Sequence, residues 1–184
     1  MKISREQVAE NRERILEAAA RMFRERGFEG VTVAEIMNDA GLTHGAFYGY
    51  FKSKDELIEQ AFAHVLTRIS REGALPTALA DYAAFYLSAA HRDDPGGGCL
   101  FAALGTEAAR ATNAVRHTLT DSVRRQIDTL SRTAPGRTAV ERRRAAVGSW
   151  TAMIGTVLLA RVVDDPALSA QLMTDTRAWL ARQK

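Results

Sequence analysis

A chain of 184 residues with a formal net charge of +3, 46% hydrophobic and 26% charged residues has the composition of one globular domain or two small ones, which excludes a disordered chain, a fibre and a basic nucleic-acid tail. A single cysteine, Cys99, excludes an internal disulfide framework and makes a reducing compartment the expectation. The charged amino terminus, MKISREQVAENRERIL, lacks the apolar stretch of a signal peptide, so a cytoplasmic location is expected.

Taken in chain order, the apolar residues recur at helical spacing. Val8, Ile15, Ala19 and Met22 mark a first helix over 5–26, which Gly27 and Gly30 end. Thr32 with Glu35 fits a capping box opening a short helix over 33–40, and Ser53 with Glu56 fits another opening a helix over 54–73. Between them lies a short segment, 44–50. In the 54–73 segment Leu57, Ile58, Ala61, Phe62, Val65 and Ile69 form the apolar stripe. Prolines at 76, 95, 135 and 166 mark later junctions, and helices are predicted over 76–91, 99–110, 114–132, 138–163 and 167–182. No alternating pattern competes, so the expectation is an all-α fold of about nine helices. The longest run without a formal charge, 145–160, is shorter than the roughly 20 apolar residues of a spanning helix and carries Gly148, Ser149, Thr151, Gly155 and Thr156. It is read as a buried helix, with no membrane partner.

The segment TVAEIMNDA, then Gly41-Leu42, then THGAFYGYF is a helix-turn-helix pattern. Ala34, Ile36, Met37, Ala40 and Leu42 supply a small apolar face against the first helix, and Gly41 permits the tight turn. The second helix then projects its amino-terminal side chains outward, where they fit a major groove. Phe47 and Phe51, four apart, stack on one face and pack inward. Tyr48 and Tyr50 point elsewhere, with hydroxyls able to donate to phosphate oxygens. Lys52 and Lys54 follow at once, beside a helix start whose N–H groups favour an anion.

The stretch over residues 32–57, TVAEIMNDAGLTHGAFYGYFKSKDEL, resembles the DNA-binding signature of the TetR family of bacterial transcriptional regulators. It departs from the family pattern at Gly49, often bulky, and at Tyr50, usually His. The resemblance implies a three-helix DNA-binding domain with a helix-turn-helix over residues 1–53, and a helical effector-binding and dimerisation domain over 54–184. It also implies that Thr32, Tyr48, Tyr50 and Lys54 contact phosphate, and that Thr43, His44 and Ala46 face base edges while Gly45 allows close approach.

Over the rest of the chain the resemblance is one of architecture. The apolar residues of the 138–163 helix cover most of its circumference, so it is expected to be buried on two sides, one against a second copy of the chain. Trp150, Ile154, Val157 and Leu158, with Leu172 and Trp179 of the last helix, are the expected homodimer interface. Tyr82, Phe85, Tyr86, Phe101, Leu104, Trp150 and Met153 are candidates for lining an effector pocket, with Glu107 and His117 for polar recognition. Cys99 follows three glycines and opens an apolar helix, a position that suits a sensor thiol as well as a small buried residue.

Enzyme chemistry finds little support. The chain has no Gly-x-Ser-x-Gly, phosphate-loop or Cys-x-x-Cys motif, and His44, His64, His91 and His117 lack metal-ligand spacing. A cysteine hydrolase using Cys99 with His91 or His117 is the remaining catalytic reading. No metal or cofactor is expected. The reading is a ligand-responsive homodimeric repressor of a palindromic operator in double-stranded DNA, released by a small, largely apolar effector. A constitutive DNA-binding architectural or adaptor protein and a thiol-based electrophile or redox sensor built on Cys99 are the alternatives.

Overall fold

The computed structural model describes residues 4–72 and 75–183. Helices run in the order α1 (Arg5–Arg26), α2 (Val33–Asp39), a 3₁₀ helix (His44–Gly49), α3 (Lys54–Glu72), α4 (Leu79–Tyr86), α5 (Ala89–Asp93), α6 (Leu100–Ala108), α7 (Asn113–Ser131), α8 (Ala139–Val162) and α9 (Pro166–Ala181). Among the described residues there is no strand, and the fold is all-α as the periodicity implies. The expected end of the fourth segment at residue 73 lies outside the described residues. The helices form two compact units, one of Met1–Glu72 with Leu104–Leu119, the other of Gly73–Ala103 with Thr120–Lys184.

In the first unit α1 packs along α3, and α2 lies against both α1 and the 3₁₀ helix. Ile15, Ala19, Phe23, Ile36, Met37, Leu57 and Phe62 are completely buried there, each of the large ones stabilising the unit by roughly 1.5–3 kcal/mol. Phe28 joins two of them, meeting Phe23 edge-on at 5.6 Å and Phe62 at 5.7 Å. Val8, expected on the apolar stripe of α1, is exposed instead. Residues 5–10 are all exposed, so this end of α1 runs past the packed part of its unit.

The end of α1 is held from a distant segment. Gly27 takes φ +78° and donates its N–H to the Phe23 carbonyl at 2.8 Å. The next amide, that of Phe28, donates to Glu107 Oε2 of α6 at 2.7 Å. A Cβ on Gly27 would stand 2.8 Å from the same carboxylate, so both the backbone angle and the close approach require glycine here.

In the second unit α8 packs along α9, and α4 touches α5, α8 and α9. Tyr86, Leu130, Met153 and Val157 form its centre. The single helix expected over 76–91 is two. Leu87 leaves helical geometry with ψ 36°, and the Ser88 hydroxyl then caps α5 by accepting from the His91 amide at 3.2 Å. Helix α8 opens with a capping box of Thr138 and Glu141. Ser169 Oγ donating to the Ala160 carbonyl at 2.6 Å, and Thr156 meeting Thr176 at 2.9 Å, fasten α9 to it. Among the described residues α8 is the one helix long and apolar enough to cross a membrane, which the uncharged stretch alone did not indicate. One of its faces, Ala146, Ser149, Trp150, Met153, Thr156, Val157 and Ala160, is buried.

The hold of Glu107 on the end of α1 is testable by thermal denaturation. Gly27→Ala should destabilise by more than about 1 kcal/mol, because alanine is strained at positive φ even before it meets the carboxylate. Glu107→Ala should cost roughly 1–3 kcal/mol by leaving the half-buried Phe28 amide without its acceptor. Unchanged melting temperatures for both variants would show that this contact does not form in solution.

Candidate nucleic-acid interface

Helix α2 is started by Thr32, whose side chain accepts from the Glu35 amide at 3.2 Å while Glu35 Oε2 accepts from the Thr32 amide at 2.8 Å and its hydroxyl at 2.7 Å. Glu35 also takes Arg26 at 2.6 Å. The guanidinium, then the Thr32 hydroxyl and amide, hold its carboxyl down at about 2. Thr32, assigned to phosphate contact, is exposed and is occupied by this box. The turn after α2 passes through Gly41 at φ +72°, a conformation that alanine adopts only under strain.

The segment expected as helix 44–50 is a 3₁₀ helix, held by i→i+3 bonds such as Ala46 N to Thr43 O at 3.0 Å and Tyr50 N to Phe47 O at 2.9 Å. Gly45 and Gly49 each disfavour a longer α-helix by about 1 kcal/mol relative to Ala, and six residues are too few to nucleate one. Its inner side is aromatic. Phe47 and Phe51 are buried with ring centroids 5.8 Å apart, and the Arg12 guanidinium of α1 lies over the Phe51 ring at 5.4 Å while donating to Gln60 of α3.

Its outer side gathers the remaining assigned residues. Thr43, His44, Gly45 and Tyr48 are exposed, Ala46 half-buried, and Tyr48 is 73% exposed. Tyr50 is half-buried, its hydroxyl accepting from Asn11 Nδ2 of α1 at 3.0 Å. Asn11 is itself buried and accepts from Gln7 at 3.2 Å and Arg14 at 3.0 Å. It orients Tyr50 and escaped the sequence reading, although a polar residue between Val8 and Ile15 on the apolar stripe was its signal. Lys52 is exposed and Lys54 half-buried. At the start of α3 the Glu56 amide donates to Ser53 Oγ at 3.1 Å. The Glu56 carboxylate accepts from the Lys52 amide at 2.7 Å, so the protein's own acid takes part of the anion site expected there.

Of the effector-pocket candidates, Tyr82, Tyr86, Trp150 and Met153 are buried in the second unit with Phe101 packed against them, whereas Phe85 is 42% exposed. Leu104, Glu107 and His117 belong to the first unit, with Leu104 buried, Glu107 engaged at Phe28 and His117 exposed.

Cys99 is partly buried. Its amide donates to His91 Nε2 at 3.1 Å and its carbonyl accepts from Ala103 in the first turn of α6. The buried His91 ring meets the Tyr86 carbonyl with Nδ1 at 2.8 Å. A carbonyl can only accept and an amide only donate, so the proton sits on Nδ1. Burial lowers the His91 pKa and favours this neutral ring.

Of the residues assigned to a dimer interface, Trp150 and Val157 are spent on the core of their own unit. Ile154 and Leu172 are half-buried, and Leu158 and Trp179 are 40% and 50% exposed. Leu159 and Val162 of α8 and Leu168 of α9 are also exposed. Gly148 and Gly155 of α8 have nothing within 4 Å of a Cβ position.

Residues 15–61 match the family of bacterial regulatory proteins, tetR family. Over 60 residues the chain is 38% identical to the HTH-type transcriptional repressor KstR2 of Mycolicibacterium smegmatis, a match covering 33% of this chain and 29% of that protein. The chain thus matches less than a third of this curated relative's length. Across nearly the whole chain the fold is similar to that of E. coli NemR in its reduced form, with a TM-score of 0.72 at 19% identity over 94% of this chain and 97% of that one. A transcriptional regulator from Saccharomonospora viridis in complex with choline gives a TM-score of 0.72 at 14% identity, covering 95% and 97% of the two chains.

The Glu35 network that positions α2 predicts a pH dependence. The folded carboxyl titrates below the ordinary value of 4.5, so its contribution to stability is complete above that pH and is lost as the pH falls toward about 2. Glu35→Gln should therefore flatten the melting-temperature curve between pH 4.5 and 2 without changing its slope above neutrality. An acid limb as steep in the variant as in the wild type would contradict this coupling.

Proposed function

We infer from the match of residues 15–61 to the family of bacterial regulatory proteins, tetR family that this chain is a DNA-binding transcriptional regulator of that kind, a repressor that leaves a palindromic operator when a small, largely apolar molecule binds its helical domain. The observation that carries the reading is the two-sided segment after Gly41. Its aromatic base is buried, and its other side leaves Thr43, His44, Gly45 and Tyr48 to solvent. Thr43, His44 and Ala46 then face base edges in a major groove, with Gly45 allowing close approach. Tyr48, Tyr50, Lys52 and Lys54 contact phosphates, which sets register without reading sequence, while Thr32 spends both of its donors on Glu35. Residues 1–53 serve as the DNA-binding domain and 54–184 as the effector and dimerisation domain, in a cytoplasmic, non-catalytic protein.

A homodimer is supported by the outer face of α8. Gly148, Thr151, Gly155, Leu158 and Val162 follow one another at three- and four-residue intervals and are exposed or half-buried, and the two glycines leave room for a second helix. With Ile154, Leu172 and Trp179 they form a self-complementary surface for a two-fold pair, which in turn demands a symmetric operator. Effector and DNA are linked through α3, which starts at Lys54, and through α6, which begins after Cys99 and carries Glu107. A ligand that binds better with these helices displaced weakens DNA binding, and DNA weakens ligand binding by the same factor.

Two experiments test the reading. In a salt titration Tyr48→Phe and Lys54→Ala should weaken operator and random duplex alike, and Lys54→Ala should lower the salt slope by roughly 1, whereas His44→Ala should shift preference at one symmetric pair of positions by roughly 1–3 kcal/mol. Unchanged affinity and slope for Lys54→Ala, with an unchanged selected sequence for His44→Ala, would refute the interface. In sedimentation Leu158→Arg should give monomer where the wild type is a dimer burying more than about 1,200 Å² in total. A wild-type monomer at micromolar concentration would refute the pairing.

A further inference from the structure

Helix α1 reaches the 3₁₀ segment through a short line of polar side chains, and the charged groups at its margins fix the direction of every hydrogen bond in it. The Arg14 guanidinium donates from Nη2 to Asn11 Oδ1 at 3.0 Å. Gln7 donates from Nε2 to the same oxygen at 3.2 Å and to Glu10 Oε2 at 3.3 Å. A guanidinium has no acceptor and an ionised carboxylate no donor. The Asn11 atom facing Arg14 is therefore its oxygen, and the Gln7 atom facing Glu10 is its nitrogen. The other end of the Asn11 amide is Nδ2, and it meets the Tyr50 hydroxyl at 3.0 Å.

An amide nitrogen donates and does not accept. Tyr50 must accept from it, which uses a lone pair and leaves the one hydroxyl proton for an acceptor elsewhere. Asn11 is 5% exposed, and a buried amide is costly unless paired, so Asn11 holds the Tyr50 hydroxyl to this role. The backbone under Tyr50 is held as well. Its amide donates to the Phe47 carbonyl at 2.9 Å, and Phe47 and Phe51 are buried. Arg14, which sets the direction, stands beside the Gly41 turn, its Nη1 3.8 Å from where a Cβ on Gly41 would lie.

We propose that Asn11 is a positioning residue for DNA binding, which keeps the Tyr50 hydroxyl as a donor to a phosphate oxygen of the duplex. The proposal rests on the reading of this face as the DNA interface. A phosphate oxygen only accepts, and its charge makes the hydrogen bond roughly twice as strong as one to a neutral acceptor. A Tyr50 that had given its proton to the interior would present lone pairs to that oxygen and repel it. An acid at position 11 would cause that reversal, because a carboxylate accepts from Arg14, Gln7 and Tyr50 together.

The test is a double-mutant cycle on the full chain with the duplex that the wild type selects, measuring Asn11→Asp and Tyr50→Phe singly and together across a salt series. Tyr50→Phe should loosen the duplex by about tenfold or more at unchanged salt slope, because the hydroxyl carries no charge. Asn11→Asp should loosen it at least as much, yet cost less than about threefold when added to Tyr50→Phe. Should Asn11→Asp fail to fold, Asn11→Leu supplies the cycle. It removes the inward donor, and should loosen the duplex less than Tyr50→Phe does and by less than about twofold when added to it. The direction of the bond is read without DNA from the Asn11 side-chain amide protons by NMR. One should be shifted and slow to exchange in the wild type, and Tyr50→Phe should remove both effects.

Equal losses from the position-11 variant in the two backgrounds, full affinity in Tyr50→Phe, or Asn11 amide protons that ignore Tyr50→Phe would overturn the proposal. Any of these, found in a wild type that selects a duplex, would leave the regulator standing. A wild type that selects no duplex would refute the regulator and the phosphate contact with it, and the amide protons would still report the direction of the Asn11–Tyr50 bond.

Discussion

Burial of Phe47 and Phe51 is the constraint on which the exposed face of the helix-turn-helix depends. A six-residue 3₁₀ segment with glycine at 45 and 49 cannot hold its own shape, since the two glycines cost about 1 kcal/mol each relative to alanine and no long hydrogen-bond ladder offsets them. Two buried phenylalanines contribute roughly 1.5–3 kcal/mol each, so packing wins and the segment is set by what lies beneath it. Arg12 over Phe51 and Asn11 on Tyr50 make α1 the surface against which it is placed. The orientation of Thr43, His44 and Tyr48 is thus fixed by a helix that begins nearly forty residues upstream.

Much of this was legible because it is local. Apolar spacing, the Thr32–Glu35 capping box, the Gly41 turn and the four-residue interval between Phe47 and Phe51 are all written within a few neighbouring positions. The break between α4 and α5 was not, because Ser88 in an otherwise apolar run reads as an ordinary helical residue until its hydroxyl caps the second piece. Long-range polar contacts were equally hidden. Nothing near Glu107 indicates that its carboxylate meets the Phe28 amide, 79 positions earlier. Helix α8 is apolar around most of its circumference, and such a pattern does not say which side faces the core. Trp150 and Val157 turn inward while Leu158 and Val162 remain at the surface, a division that only packing decides.

Polar groups tie each unit together from within. In the first, Thr32, Glu35, Asn11 and Glu107 all find partners, which fixes one geometry. In the second, Tyr82 meets Trp150, Tyr86 meets Cys99, and Arg161 donates to the His91 and Arg92 carbonyls within an aromatic interior.

The most direct test of the central claim is a binding-site selection with the wild-type chain followed by hydroxyl-radical footprinting and stoichiometry on the selected duplex. The expected result is a palindromic consensus bound by two chains, with protection of major-groove edges repeated symmetrically about its centre. Selected and random duplexes bound with equal affinity, or an asymmetric footprint from a single chain, would contradict it.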